Sequence, residues 1–354
     1  MIRRPTLAVV AEVAGVSLKT ASRVLNREPN VAAATRERVL DAAASLGFRR
    51  NAVAADLARG GFSRLVGFIT GDLANEFYSA LASGIERELR EHGLQLLTAS
   101  SDEDPERESS LTGELLERRV GALIVTPAGA DHSALRGEIA AGLTVVVVDR
   151  PAAGMDVDTV VIDNRGGTRA AVEHLLAHGH RRIAFVGDEP HLWTYQERSD
   201  EFLAAMRDAG VSDAERWVRS GAHSAAAARD LVVELLDARH GQARHGQARH
   251  GQARDGQAPE PPTAVLAANN RATVGTLQAL RDAPGGDGVA VVGFDDFELA
   301  DLLGITVVAY DAVEMGRRAA ELAVARSADP DRPVELVVLP TRVVARGSGE
   351  REPR

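Results

Sequence analysis

The sequence predicts a small all-α head followed by a larger α/β body built as two doubly wound lobes. Apolar residues recur with a helical period through the first 48 residues. From Leu65 onward, short runs rich in valine, isoleucine and leucine alternate with amphipathic helical segments instead. Near-continuous apolar strands joined by helices are typical of parallel sheets covered on both faces, and roughly ten such strands suit two sheets better than one.

Residues 6–26 predict two short helices joined by a glycine-bearing turn. The first helix places apolar residues at i, i+3, i+4 and i+7, namely Leu7, Val10, Ala11 and Ala14. Gly15 follows where a left-handed residue commonly ends a helix, and Ser17 can cap a second helix. That helix would bury Ala21, Val24 and Leu25 and expose side chains able to hydrogen-bond to base edges or phosphates. The pair is either a helix-turn-helix, which enters the major groove of DNA, or an ordinary helical hairpin in a core.

Residues 31–48 predict a third helix that would close a small core with the first two. Val39, Ala43 and Leu46 have helical spacing, and Gly47 is placed to end the helix. Residues 51–60 then indicate a short helical segment, too short to be stable alone in water, which must gain its order from a protein partner, from DNA or from both. We therefore predict a head at 1–49, a hinge at 50–62 and a body at 63–347.

The formal net charge of −10 is unevenly divided along the chain. Residues 1–60 contain ten lysines and arginines against five acidic residues, a balance of +5, so the remainder carries −15. A basic head on an acidic body indicates that only the head contacts polyanions. Cysteine is absent, which excludes disulfides and thiolate chemistry. No apolar run approaches the roughly 18 residues of a membrane span and the N-terminus lacks a secretion signal, so we expect a cytoplasmic protein without membrane contact.

Ten strands are predicted in the body. They are residues 65–69, 94–99, 122–126, 144–149, 159–163, 182–187, 264–268, 289–294, 306–309 and 334–340. Ligands of parallel sheets bind beyond the carboxyl ends of the strands. That rule singles out the polar residues that follow the strands, which are Asp72, Thr126, Asp149, Asp163 and Asp295.

Residues 238–258 interrupt this alternation with a strict five-residue repeat, ARHGQ three times and then ARDGQ. A repeat of five residues with a glycine in every unit matches neither helix nor strand, so we interpret 238–261 as a flexible surface insertion. Its histidines His240, His245 and His250 are candidates for holding a metal ion, but a disordered expansion is the favoured alternative. We therefore predict no metal site and no cofactor.

The body contains none of the nucleotide-binding motifs that an α/β kinase or dehydrogenase would need. There is no GxGxxG and no GxxxxGK[ST], and GGTRA at 166–170 lacks the P-loop lysine. Asp295 and Asp296 are adjacent carboxylates, which seldom form an acid–base pair across a substrate. A solute receptor is a further alternative, but it would need an export signal and no basic head. We therefore predict a binding protein that is not an enzyme.

Several motifs, all in one order, resemble the lactose-repressor-type (LacI/GalR) family of transcriptional regulators. In the head they are AGVSLKTASRVLN, TRERVLDAA, LGF and NAVAADLA, and in the body they include LVGFITGDLANEFYSALASGIE, LLERRVGALIVTP, AANNRATVGTLQAL and VAVVGFDD. The resemblance implies a body like that of periplasmic sugar-binding proteins. It also implies a sequence-specific repressor gated by a small-molecule effector, expected to be a sugar or sugar derivative. The implied partner is a near-palindromic double-stranded DNA operator bound by a homodimer, and a dimer is favoured over a tetramer because no heptad-bearing tail follows residue 340.

The resemblance assigns DNA contacts to the head and hinge. Leu18, Lys19 and Arg23 stand where the family's recognition helix contacts base edges, and Leu57 matches the hinge leucine that the family inserts into a minor-groove step. Ser17, Thr20, Ser22 and Asn26 are suited to phosphate and sugar oxygens, and Thr6 completes the predicted contacts. The chain departs from the usual residues of the family at Val9, Ala32, Arg50 and Ala55. The missing cap at Ala32 is expected to lower the stability of the third helix by roughly 1 kcal/mol.

The resemblance also assigns eight residues to an effector site between the lobes. They are Phe77, Tyr78, Thr126, Asp149, Arg198, His223, Asn269 and Asp295. The carboxylates can accept hydrogen bonds from paired hydroxyls, the arginine and the asparagine can donate, and the aromatic rings can cover an apolar sugar face. Each residue also has a structural alternative; Asp295 could cap a helix and Arg198 could lie in a surface ion pair. Ala312 and the sequence AYD at 309–311 depart from the family, which implies a different effector from that of the best-known relatives.

Overall fold

The computed structural model describes residues 5–26, 28–29, 31–48, 63–129, 131–237 and 260–353. The predicted hinge segment with Leu57, Arg50 and Ala55, and the ARHGQ repeat, lie outside these ranges. The chain divides into two compact units, one comprising Met1–Leu65 with Arg119–Gly121 and the other Val66–Arg118 with Ala122–Arg354. No helix of the described ranges has the length and apolarity needed to cross a bilayer.

The head consists of three helices around a core of its own. They are α1 Leu7–Val13, α2 Leu18–Leu25 and α3 Ala33–Ser45. Ser17 Oγ caps α2 by accepting from Thr20 N at 3.1 Å, and both Gly15 and Gly47 adopt the left-handed backbone that ends α1 and α3. The core is made of Val10, Ala11, Ala14, Ala21, Val24, Val39, Ala42 and Ala43. The predicted three-helix head is therefore confirmed, and Ala32, which precedes α3, supplies no side-chain cap, as expected.

The body contains two lobes, each with a six-stranded sheet and helices on both faces. The N-terminal lobe contains β1 Leu65–Thr70, α4 Glu76–Glu91, β2 Gln95–Ser100, α5 Pro105–Glu117, β3 Ala122–Val125, α6 Ser133–Ala140, β4 Thr144–Val148, β5 Asp158–Ile162, α11 Ala312–Ala328 and β11 Leu336–Leu339. The C-terminal lobe contains α7 Asn164–Ala177, β6 Ile183–Val186, α8 Trp193–Asp208, β7 Val218–Arg219, α9 Ala225–Leu236, β8 Ala264–Ala267, α10 Asn270–Asp282, β9 Ala290–Phe294, β10 Thr306–Ala309 and β12 Arg342–Val344.

The strand order is β11-β5-β4-β3-β1-β2 in the first sheet and β12-β10-β9-β8-β6-β7 in the second. The described pairs are parallel, except that β10 and β12 are antiparallel. All ten predicted strands are present, and the strands of the sheet centres are buried on both faces, as their apolar runs predicted. The edge strands β7 and β12 were not predicted, because two or three residues are too few to show a period.

Six of the helices described in the body begin at side chains that supply hydrogen bonds missing in a first turn. The capping residues are Asn75 for α4, Asp104 for α5, Asp163 for α7, Ser224 for α9, Asn269 for α10 and Asp311 for α11. Asp163, singled out above as a strand-end residue, therefore serves as a helix cap, since its carboxylate accepts from Gly166 N at 2.8 Å.

The chain passes between the lobes three times, after β5, after β10 and after β11. These crossings lie side by side, because Asp163 N donates to Leu339 O at 2.9 Å and Thr341 Oγ1 donates to Asp163 O at 3.2 Å. The chain also continues to pack after the predicted boundary at 347; Ser348 Oγ donates to Val291 O at 2.6 Å. The carboxyl ends of both sheets thus face one cleft, with short connections at its base.

Candidate functional site

The cleft between the lobes presents two aspartates at matching positions. Asp149 follows β4 in one sheet and Asp295 follows β9 in the other. Both have a left-handed backbone, with φ of 76° and 71°, which is uncommon for residues other than glycine. Both side chains line one cavity together with residues from each lobe. The cleft is therefore built where the strand-end rule placed it.

The N-terminal-lobe wall of the cleft is organised around Arg150. Its Nη1 and Nη2 donate to the Glu103 carboxylate at 2.8 and 3.0 Å, Nη2 donates to the Tyr78 hydroxyl at 2.9 Å, and Nη2 also reaches Asp149 Oδ2 at 3.0 Å. The Tyr78 hydroxyl in turn donates to Glu103 Oε1 at 2.8 Å. Burial raises the pKa of Asp149, and Arg150 and Arg198 oppose that increase. The wall is thus a buried, hydrogen-bonded charge network.

Arg198 enters the cleft from α8 of the other lobe and is only 6% exposed. Its Nε donates to Asn164 Oδ1 at 2.7 Å and its Nη1 to Ala268 O at 2.6 Å. The guanidinium also lies over the Phe294 ring, 3.7 Å from its centroid, in a cation–π contact. The alternative of a surface ion pair is therefore wrong. Neutral acceptors hold this cation in place, and it forms no ion pair with any carboxylate of the described residues.

Asp188 holds two of the predicted effector residues in position. Its Oδ1 lies 3.0 Å from His223 Nδ1, and its Oδ2 accepts from Asn269 Nδ2 at 3.1 Å. Burial opposes ionisation of Asp188, but hydrogen bonds from His223 and from Glu189 N hold its pKa below the ordinary value. The same hydrogen bond from His223 raises the pKa of the imidazole, against the opposing effect of burial.

We expect the His223→Gln variant to lose more stability in acid than in alkaline buffer. A histidine with a raised pKa in the folded state contributes stability that is fully present below its ordinary pKa of about 6.5 and is lost as the pH rises through the folded value. The difference in melting temperature between the parent protein and the variant should therefore shrink from pH 6 to pH 8.5. His191→Gln, at an exposed position, should give the same difference throughout. A melting-temperature difference between the parent protein and His223→Gln that stays constant or grows with pH would contradict this linkage.

The aromatic wall of the cleft is formed by Phe77, Tyr78 and Tyr310. The Phe77 ring lies 4.8 Å from that of Tyr78 and 6.0 Å from that of Tyr310, measured between centroids. The Tyr310 hydroxyl donates to Asp295 Oδ1 at 2.8 Å, and Asp295 Oδ2 accepts from Asn270 N at 3.1 Å. Asp295 therefore helps to cap α10, which was the structural alternative considered for it, and it also lines the cavity. Burial and the nearby Asp295 raise the pKa of Tyr310 well above its ordinary value.

Direct polar contacts also join the two lobes across the rim of the cleft. Arg271 Nη2 donates to Asp72 Oδ2, and Asn270 Nδ2 donates to Asn75 Oδ1 at 2.7 Å. Burial of Asp72 works against its ionisation, but the hydrogen bond from Arg271 keeps its pKa below the ordinary value. The rim contacts bring the first turn of α10 against the start of α4.

Seven of the eight predicted effector residues line this cavity, and Thr126 does not. Thr126 is fully buried behind the strand end, where its backbone N donates to Ile69 O at 2.8 Å. Several residues that line the cavity were not predicted as effector contacts. They are Asp72, Asn75, Glu103, Arg150, Asp188, Leu192, Thr194, Arg271 and Tyr310. Asp72 was singled out by the strand-end rule, and applying that rule to the residues directly after the predicted strands 144–149 and 182–187 would also have found Arg150 and Asp188. Within the described ranges, no group of three or more potential ligands is placed to hold a metal ion.

The second helix of the head presents a mixed surface at its N-terminus. Leu18 is 54% exposed and Lys19 is exposed beside it. Arg23 is tied back, since its Nε reaches Glu28 Oε2 at 3.3 Å and its Nη2 donates to Pro29 O at 3.1 Å. Hydroxyl and amide groups of the predicted DNA-contacting set are engaged within the head: Ser17 with Thr20, Asn26 with Ser22, and Thr6 as the cap of α1. Leu18 and Lys19 are therefore the predicted base-edge contacts left most accessible.

Comparison with known proteins places both parts of the chain. Residues 6–51 match the description "Bacterial regulatory proteins, lacI family", residues 63–240 match "Periplasmic binding proteins and sugar binding domain of LacI family", and residues 172–349 match a periplasmic binding protein-like domain. The HTH-type transcriptional regulator GalS of Salmonella typhimurium is 30% identical over 90% of this chain and 88% of that protein.

Two solved structures share the architecture over nearly the whole chain. The Lac repressor dimer bound to operator and the anti-inducer ONPF is 25% identical, with a TM-score of 0.79 over 98% of this chain and 99% of that one. The transcriptional regulator CelR in complex with cellobiose is 28% identical, with a TM-score of 0.68 over 98% and 100% of the two chains. The match of the head gives the solute-receptor alternative no support. The chain therefore belongs to the LacI family of bacterial regulatory proteins and is a DNA-binding transcriptional regulator, not an enzyme.

Proposed function

We propose that the protein is a cytoplasmic, nucleoid-associated repressor that binds a near-palindromic operator as a homodimer and is gated by a sugar or sugar derivative between its lobes. The cleft carries this proposal, because carboxylates, a guanidinium, an amide and aromatic rings from both lobes converge on one cavity. The printed names of the relatives support it, since one solved relative holds cellobiose and another is a dimer on its operator.

The chemistry of the cleft suits a ligand with many hydroxyl groups. Asp149 and Asp295 accept hydrogen bonds, Arg198 and Asn269 donate them, and Phe77 offers a ring that can cover an apolar sugar face. The carboxylates approach from opposite lobes, so a ligand bound to both favours one arrangement of the lobes over others. Gating follows if that arrangement and the alternative place the two heads of the dimer differently on the operator.

The DNA-reading role rests on the exposed N-terminal turn of α2. Lys19 carries a cationic donor with no acceptor function, which suits guanine O6 and N7 or a phosphate. Leu18 beside it can contact a thymine methyl group. Arg23 can join them when DNA replaces its contacts with Glu28 and Pro29, and Leu57 of the hinge is proposed to enter the minor groove.

Footprinting on the DNA upstream of the protein's own coding sequence tests the proposal. We expect two protected half-sites related by two-fold symmetry, and we expect Lys19→Ala to weaken binding by about 10-fold or more, since one good base contact contributes about 1–3 kcal/mol. Arg90→Ala removes the same charge from an exposed position on α4 of the body and should leave binding unchanged. Protection without two-fold symmetry would overturn the dimeric model of binding.

The same complex tests gating by a sugar. Neutral sugars and sugar phosphates are titrated into the protein–operator complex, and one of them should change operator affinity by 10-fold or more and be recovered chemically unchanged. Asp149→Asn should abolish that response while retaining operator binding, because the carboxylate belongs to the cleft and not to the head. A response that survives in Asp149→Asn would place the effector elsewhere.

A further inference from the structure

One charged residue of the cleft wall, Glu103, was not predicted as part of any site. Its two carboxylate oxygens accept from Arg150 Nη1 and Nη2 at 2.8 and 3.0 Å, so the pair is bidentate. The side chains of Arg150 and Glu103 are only 6% and 11% exposed. A guanidinium in such a place would attract an anionic ligand, and Glu103 offsets that charge within the wall itself.

The local backbone is shaped to bring Glu103 to this position. Asp102 and Glu103 are consecutive non-glycine residues with a left-handed backbone, at φ of 53° and 59°. Gly71, at the end of β1, leaves the space that the carboxylate fills, because a Cβ there would lie 2.1 Å from Glu103 Oε1 and 2.6 Å from the Tyr78 hydroxyl. Two unfavourable backbone conformations and a missing side chain therefore combine to place one negative charge beside Arg150.

The charges that line the cleft leave it negative. The lining carboxylates are Asp72, Glu103, Asp149, Asp188 and Asp295, and the lining guanidiniums are Arg150, Arg198 and Arg271. Five negative charges against three positive ones give the cleft a net charge of −2 when His223 is neutral and −1 when it is protonated. Arg150 and Arg271 are already ion-paired. Arg198 is the remaining guanidinium among the described lining residues, and its charge lowers the pKa of Asp149 against the effect of burial.

An anionic ligand would therefore enter a largely desolvated cleft of its own sign, where charge interactions are stronger than in water. An uncharged polyol meets no such opposition. It needs only hydrogen-bond partners, which Asp149, Asp295, Arg198 and Asn269 provide.

We propose that the cleft selects an uncharged polyhydroxy effector over sugar phosphates and sugar acids, and that Glu103 is the residue that determines this choice by neutralising Arg150. This inference deepens the proposed function and rests on it, because it assigns a ligand class to the same cleft. Removing the charge of Glu103 while keeping its shape leaves Asp149 as the remaining ion-pair partner of Arg150 and lowers the opposition of the cleft to an anion.

The test uses the full-length protein and its Glu103→Gln variant, with Glu106→Gln as the matched control. Glu106 lies three residues further along and is exposed, so the control loses the same charge outside the cleft. Inorganic phosphate is the first probe, titrated by calorimetry at constant ionic strength, and any binding to the basic head is common to all three proteins. We expect Glu103→Gln to bind phosphate at least 10-fold more tightly than the parent protein or the control. Equal phosphate binding by Glu103→Gln and Glu106→Gln would overturn the proposal.

Two further measurements keep the proposal testable if Glu103→Gln folds poorly. Gly71→Ala displaces the Glu103 carboxylate without removing it, and it should raise phosphate affinity in the same direction. For the parent protein, glucose and ribose are each compared with their 6- and 5-phosphates, and a phosphate ester that binds more tightly than its parent sugar would refute the selection. The phosphate titration reads the charge of the cleft without any effector or DNA, so its outcome is separate from a failure of sugar-gated operator binding.

Discussion

Replacement of Arg150 by methionine is expected to lower the free energy of unfolding by about 3–5 kcal/mol, because it leaves buried carboxylates without their cation. Asp149 is 7% exposed and the Glu103 side chain is 11% exposed, so water cannot replace the lost partner. Burial alone would lower the pKa of the guanidinium, but Tyr78, Asp149 and Glu103 raise it well above its usual value. Urea denaturation of the parent protein and the variant measures the loss.

The control for this prediction is an arginine of the same chain whose partners are partly exposed. Arg317 pairs with Glu314 and Glu321 on one face of α11, and its side chain is 39% exposed. Because exposed ion pairs contribute about 0–1 kcal/mol, Arg317→Met should cost little. Adding Glu103→Gln to Arg150→Met should restore part of the lost stability, since it removes one of the stranded charges. Losses of equal size for the two arginine variants would contradict the buried-network interpretation.

The second large effect is expected at Gly84, where α4 crosses α11. A Cβ at Gly84 would lie 1.9 Å from Val313 O, and one at Gly316 on the opposite helix would lie 2.0 Å from Leu81 O. Both obstacles are backbone atoms, so the helices must separate to admit an alanine. We expect Gly84→Ala to lower the free energy of unfolding by about 1–3 kcal/mol, the usual cost of overpacking a well-packed interior.

Gly113 on α5 provides the matched control, because no heavy atom lies within 4 Å of a Cβ built there. Without a clash, the better helix propensity of alanine should dominate and Gly113→Ala should raise stability by about 0.5–1 kcal/mol. The same substitution in two helices of one lobe is thus expected to have opposite signs. Melting temperatures of the two variants test it, and a stabilised Gly84→Ala protein would show that the helices are free to separate.

Much of the architecture follows from patterns that are local in the sequence. Each of the ten predicted strands is an apolar run of four to seven residues bounded by polar or glycine residues, and each is found in one of the two sheets. The head was equally predictable, because the apolar positions of α1 to α3 and the glycines that end them act within a few residues of each other. Such features depend on period and backbone preference, which neighbouring residues determine.

The candidate cleft was predicted only where its residues follow strands directly or match the family. Asp149 and Asp295 satisfy both conditions, whereas Glu103 lies in the loop between β2 and α5 and carries no local signal of its role. The role of Glu103 depends on its contact with Arg150, 47 positions away in the sequence, and on the space left by Gly71. Thr126 shows the reverse case, because a strand-end position that matched the family proved to be buried away from the cavity.

The sequence by itself determined the order of helices and strands, the division into a basic head and an acidic body, and the family to which the chain belongs. Only the tertiary structure decided which charges meet in the cleft, that Arg198 is held by neutral acceptors, and that Asp188 positions His223 and Asn269. The physical reason is the range of the interactions. Helix and strand periods are set by neighbours along the chain, but the balance of buried charges depends on side chains from both lobes meeting within about 3 Å of one another.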